Sequence, residues 1–151
     1  MRRNRLTPFR YWVFGAGIFN AVAGFPLAVP FLFKHYTVLL NDLNTLSGLG
    51  GKGLKSPDDG AMMLIVNMAG LAVLLIGLML IYASADLEKR RGIPLLNGIC
   101  RLIFSIIVVY YVATEDIARM LLGVAMIDFV IGGVFLYYLF ELRHSWASPD
   151  Q

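Results

Sequence analysis

Two side chains of opposite charge, Arg101 and Asp128, stand inside long apolar stretches of this chain, and three carboxamides, Asn20, Asn67 and Asn97, share that setting. A charged side chain at the centre of a membrane helix costs about 2.5–3.5 kcal/mol on insertion scales, so such groups turn inward and find partners. An arginine fork and a carboxylate can form a bidentate, charge-assisted pair, and asparagines can orient either member or a ligand's polar head. Asn97, Arg101 and Ser105 recur at i, i+4, i+8, which places them on one helical face. Ala125, Asp128 and Gly132 follow i, i+3, i+7, which sets the carboxylate on a small-residue face; Asn67, Gly70, Leu74 and Gly77 share another. Two readings follow. In one, these groups fix helix register as interhelical hydrogen bonds do. In the other, Asp128, Arg101, Asn20, Asn67 and Asn97 line a pocket for a lipophilic molecule with a polar head.

Other chemistry has less support. No nucleophile–base pair and no metal-ligand spacing occurs, so no catalytic or metal residue is assigned. The lone Cys100 allows no internal disulfide and sits in an apolar run as packing. His35 and His144 fall at opposite ends of the expected helices and cannot jointly ligate one haem. The run Ser47 to Gly53 contains a lysine but does not meet the phosphate-loop pattern. Glu115, Asp116 and Arg119 read as helix capping with an i, i+4 pair, or as an entrance cluster.

These residues need elements to hold them, and composition names the elements. Of 151 residues, 58% are hydrophobic and only 15% charged, where soluble domains carry roughly a quarter charged. A single water-facing core of this size cannot hide that much apolar side chain. The pattern predicts an all-α membrane protein, an antiparallel bundle of four transmembrane helices in one domain, at about 11–33, 61–83, 93–112 and 117–140. Each is near the roughly 20 residues that cross a hydrocarbon core of about 30 Å. Arg-rich residues before the first stretch and Ala21-Val22-Ala23 mimic a cleavable signal, but apolar character continues to Phe33, which favours a retained helix. Gly24, Pro26 and Pro30 bend or unwind its far end. The connection 34–60 forms the one long loop, with a short interfacial helix near 36–43, and Asp58 or Asp59 caps the second helix.

Orientation follows from basic flanks. Arg2, Arg3, Arg5, Arg10, Lys89, Arg90, Arg91 and Arg143 fall on one side, against Lys34, Lys52 and Lys55 on the other. The positive-inside rule puts both termini in the cytoplasm and the chain in the cell (inner) membrane. Tyr11, Trp12, Tyr36, Tyr82, Tyr110, Tyr111, Tyr137, Tyr138 and Trp146 lie near helix ends, as interfacial anchors do. Helix rise puts Asn20, Arg101, Asp128 and Asn67 at about 13, 10, 18 and 24 Å from the cytoplasmic end, with Arg101 and Asp128 roughly 7–8 Å apart along the normal, a span an arginine reaches. The basic residues mark topology rather than nucleic-acid binding.

The chain resembles the DoxX-like membrane proteins, in particular their BphX-like branch. Asn97, Cys100 and Arg101, the segment Ala125-Met126-Ile127-Asp128-Phe129 with Gly132-Gly133, and the bend Gly24-Phe25-Pro26 carry the resemblance. It implies a four-helix membrane bundle. It also implies kinship with subunits of quinone-linked enzymes and, more distantly, with proteins that hold lipophiles through acidic residues. The chain lacks a second acidic residue inside its spans, for which Asn20 or Asn67 would have to substitute. The expectation is therefore a non-catalytic module with a lipophilic ligand and membrane lipid as partners, cofactors unassigned. The alternatives are an accessory subunit of a larger membrane complex or homo-oligomer, and a lipophile-modifying enzyme.

Overall fold

The computed structural model describes residues 2–147, with side chains for 6–143. Arg2, Arg3, Arg5, His144 and Trp146 have side chains outside the described set. The elements are α1 (Arg2–Ala28), α2 (Pro30–Ser47), α3 (Gly60–Ala85), α4 (Leu87–Arg90), α5 (Gly92–Thr114) and α6 (Leu121–Ala147). Four helical segments, Leu6–Ala28, Gly60–Ala85, Gly92–Thr114 and Leu121–Arg143, are long and apolar enough to cross a membrane. Only 17–28% of their residues are buried inside the protein. Large apolar side chains such as Val22, Leu64, Ile65, Ile106 and Met126 point outward instead, an inside-out distribution that a lipid solvent explains. Among the described residues there is no strand, only an isolated bridge between Lys52 and Ile117.

The fold is an all-α antiparallel four-helix bundle built from two tight pairs. α1 packs chiefly on α3 and α5 on α6, with thinner α1–α6 and α3–α5 contacts closing the ring. Glycines make the first pair. A Cβ added at Gly17 would lie 2.8 Å from the Gly77 carbonyl, and one at Gly24 would lie 2.6 Å from the Leu74 amide. Backbones this close gain dispersion contacts along their length, the main attraction between helices already in lipid. In the register set by Gly17 with Gly77 and Gly24 with Gly70, Leu27 lies level with Asn67 and Lys34 with Gly60.

That register shows where the first helix departs from expectation. It was expected to span 11–33 with a bent or unwound far end; the helix stops at Ala28, about 9 Å short of the outer end of α3, and a second helix begins at Pro30. Val29 is extended (φ −106°, ψ 114°) because a residue before proline is pushed out of the helical region, and Pro30 then opens α2 at its first turn. α2 is also longer than the short helix expected at 36–43. It buries Phe33, Thr37 and Asn44 on one face and ends at Gly48, whose φ of 64° suits glycine.

The end of the bundle away from the N-terminus is stitched by polar side chains of α2. Asn41 accepts from the Leu54 amide (2.7 Å) and donates to its carbonyl (2.9 Å). Asn44 accepts from the Met120 amide (3.2 Å) and donates to the Gly50 carbonyl (3.3 Å). Residues 116–119 pair with the loop, through Lys52 N to Asp116 O and Arg119 N to Gly50 O, instead of starting a helix. The fourth helix was expected from 117 and begins at Leu121 for this reason, and an i, i+4 Glu115–Arg119 helical pair cannot form. Of the two aspartates considered before α3, Asp59 is the cap, accepting from the Met62 amide.

At the opposite end lies the apolar core. Phe9, Val13, Leu80, Ala83, Leu87, Ile131, Phe135, Leu139 and Leu142 cluster there, with Phe9 edge-on to Phe135 and stacked on Tyr138.

Candidate intramembrane polar site

Between the apolar core and the stitched loop, the polar side chains of three helices meet. Arg101 stands near the middle of α5 and is 5% exposed. Each nitrogen of its fork has a different acceptor. Nε donates to Asn97 Oδ1 one turn back (2.8 Å), Nη1 to Asp128 Oδ1 on α6, and Nη2 to Asn20 Oδ1 on α1. Helix geometry favours this layout, because side chains lean toward the helix N-terminus and bring Arg101 over Asn97. A lysine, a point charge on a flexible stem, could not match the planar fork.

Small residues make the approach possible. A Cβ on Gly132 would sit 2.9 Å from the Gly98 carbonyl, and Ser105 Oγ reaches the carbonyls of Arg101 (2.8 Å) and Ala125 (2.9 Å). In this register Asp128 is level with Leu102, so the expected offset from Arg101 along the normal nearly vanishes. The expectation took Phe140 as the end of the last helix, whereas α6 runs on to Ala147 and slides the register.

Asn20, Arg101, Asp128 and Asn97 are thus brought together, and the Arg101–Asp128 pair is present. Asn67 is not part of the group. Its Nδ2 donates to the Leu27 carbonyl (2.7 Å), an acceptor that the break at Val29 leaves without a helical donor. Sequence patterning placed Asn67 on one face with Gly70, Leu74 and Gly77, which the structure turns toward α1, but gave no sign that an open carbonyl would take it. Cys100 faces outward. Among the described residues no three His, Cys, Asp or Glu side chains converge as a metal site.

The cluster is electrically neutral, yet not all its polar atoms are used. Asn20 and Asp128 are each 8% exposed. Among the described residues no partner bonds the second Asp128 oxygen or the Asn20 amide nitrogen. Two open grooves flank the site. One, of about 330 Å³, runs between α1 and α6 along Tyr11, Trp12, Gly15, Ala16, Phe19 and Ile131. The other, of about 390 Å³, lies between α5 and α6 over Ser105, Val109, Ala125, Met126 and Phe129. Phe19, which lines the first groove, has its ring centroid 6.0 Å from Arg101 Cζ. Phe19 carried no signal in the sequence, being one aromatic among many in an apolar run.

No protein-family model matches this chain, and no curated protein or solved structure does.

Proposed function

We propose that the chain is a multi-pass protein of the cell (inner) membrane, with both termini cytoplasmic, that holds a lipophilic ligand between its helices without catalysing a reaction. The observation that carries this reading is the buried, neutral Arg101–Asp128–Asn20 cluster, which keeps unused hydrogen-bonding atoms one turn from a groove open to lipid. Asn97 supports it by orienting Arg101. Arg101 holds Asp128 as its counter-ion, which counts against acid–base chemistry, since a general acid or base must have its proton free to move. The DoxX-like resemblance belongs to the same proposal and rests on Arg101, Asp128 and the Gly24-Phe25-Pro26 bend.

The test is native extraction into lipid nanodiscs with mass spectrometry of what co-purifies. The wild type should carry one lipophile enriched over bulk membrane lipid. The double substitution Arg101→Met with Asp128→Leu, which removes the cluster without stranding a charge, should lose it while staying folded. A wild-type lipid profile identical to the surrounding membrane would overturn the reading.

A second reading is favoured by α2, which exposes Phe31, Val38, Leu39 and Leu46. An accessory subunit would present such a face to a membrane partner, and the same purification would then yield a stoichiometric second protein.

A further inference from the structure

α2 is a long helix that is not among the four spans, and contacts elsewhere fix its height in the bundle. Asn20 and Asp128 meet the same guanidinium, and Phe9 stacks on Tyr138. Antiparallel helices rise equally per residue, so both matches set Ala28 level with residues 119–120. α2 leaves α1 just past Ala28, and its Asn44 holds the Met120 amide. The stretch from Pro30 to Asn44 is about 21 Å long, yet it begins and ends at one height, to within the reach of an asparagine side chain. α2 therefore runs across the bundle axis and not along it. That height is about 27 Å of helix rise from Arg10, the last charged residue before the apolar run of α1. A hydrocarbon core is about 30 Å thick, so α2 lies at its edge.

The surface of α2 divides three ways. Phe33, Thr37 and Asn44 point into the bundle. Round the helix in one direction come Leu43, Leu32, Leu39 and Leu46, within about 60° of arc at 3.6 residues per turn. Leu46 is 83% exposed and Leu39 52%. In the other direction come Lys34, Thr45, Asp42 and His35, all exposed. Val38 and Phe31 share this polar strip, with the Phe31 ring against His35 at 5.0 Å between centroids. Each strip is centred about 130° from the buried side. A helix on a membrane surface needs one face for lipid and one for water; on the rim of a bundle it needs a third for protein. With water above α2, bundle and lipid lie below it on either side. α1 exposes Val22 and Phe25 just beneath this height, so its apolar, lipid-facing surface reaches up to α2.

We propose that α2 is a membrane-surface anchor, lying flat on the rim of the bundle, with its leucine strip among the acyl chains of the leaflet away from the N-terminus and its Lys34–Asp42 strip in water. The partner of its exposed apolar face is the lipid leaflet. This assigns to lipid the helix that the second reading above gives to an accessory protein, and it holds with or without a ligand in the bundle.

The test uses the full chain carrying Cys100→Ser and one further substitution at a time: Leu39→Cys, Leu43→Cys or Leu46→Cys on one strip, Lys34→Cys, Asp42→Cys or Thr45→Cys on the other. All six positions are exposed, so a label disturbs no packing. Each cysteine carries a nitroxide in phosphatidylcholine bilayers, where collision with oxygen reports lipid and collision with a water-soluble nickel chelate reports water. The three leucine positions should favour oxygen and read about 5–10 Å below the phosphates, and the other three should favour nickel. In oriented bilayers, nitrogen NMR should find the α2 N–H bonds across the membrane normal and those of α3 along it. Nickel access at both strips would lift α2 into water. Oxygen access alone at both would sink it into the core as a crossing. Leucine-strip labels closed to both reagents would place a second copy of the chain there. Each of these results overturns the proposal, as does an α2 N–H orientation matching that of α3.

Discussion

Replacing Asp128 with asparagine leaves its shape and removes its charge, which strands the Arg101 guanidinium among buried groups. Arg101 is 5% exposed and sits near mid-helix, so it cannot reach water by extending along the chain. Removing one member of a buried ion pair costs about 3–5 kcal/mol, while replacing both with apolar side chains is often neutral or stabilising by about 1–4 kcal/mol. Asp128→Asn and Arg101→Met should therefore each destabilise strongly. The double substitution Arg101→Met with Asp128→Leu should return most of the loss, giving a coupling of about 3 kcal/mol or more. That size is diagnostic, because hydrogen bonds between membrane helices average about 0.6 and reach about 1.7 kcal/mol. The assay is reversible unfolding in mixed micelles, followed by circular dichroism, on wild type, both singles and the double. Single losses below about 1 kcal/mol, or losses that simply add, would refute the claim that this pair is buried and mutually compensating.

Gly70→Ala should destabilise by about 1–3 kcal/mol, since its Cβ would come 2.4 Å from the Ala28 amide nitrogen, whereas Gly15→Ala should be neutral or stabilising by up to about 1 kcal/mol; thermal unfolding of the two compares them directly. Asn44→Ala removes the acceptor for the Met120 amide and should cost about 1 kcal/mol, and limited proteolysis at the loop 48–59 should quicken. Burial holds the Tyr36 phenol above its ordinary range; the folded state then keeps that proton longer than the unfolded chain, so stability should fall as pH rises beyond about 10, and Tyr36→Phe should flatten that limb of the unfolding curve.

Much of this architecture is legible in the sequence because lipid imposes a simple rule: twenty or so apolar residues make a crossing, and the rare polar ones turn inward. Arg101 and Asp128 could be paired from helix rise alone, and the stripes Asn97–Arg101–Ser105 and Ala125–Asp128–Gly132 face the site as their spacing implies. Register was harder. It depends on where backbones touch, at Gly17 with Gly77 and Gly98 with Gly132, and not on where hydropathy ends, so the depth of Asp128 was misjudged. Pro26 and Pro30 announced a bend, but only the structure shows the break at Val29 and the freed Leu27 carbonyl that draws Asn67 from the cluster. The late start of α6 was hidden for a related reason: Asn44 and Gly50, some 70 residues upstream, hold the backbone that local patterning assigned to a helix.

The central claim is that Arg101 turns into the bundle and is held by Asp128. Solid-state NMR on protein in bilayers, with labelled arginine nitrogen and aspartate carboxyl carbon and Asp128→Asn as the assignment control, measures that contact directly. The structure predicts strong dipolar coupling from nuclei about 4 Å or less apart, the range of a salt bridge, and its disappearance in the control. Absence of coupling in wild type, with the guanidinium instead in contact with lipid phosphate, would contradict it.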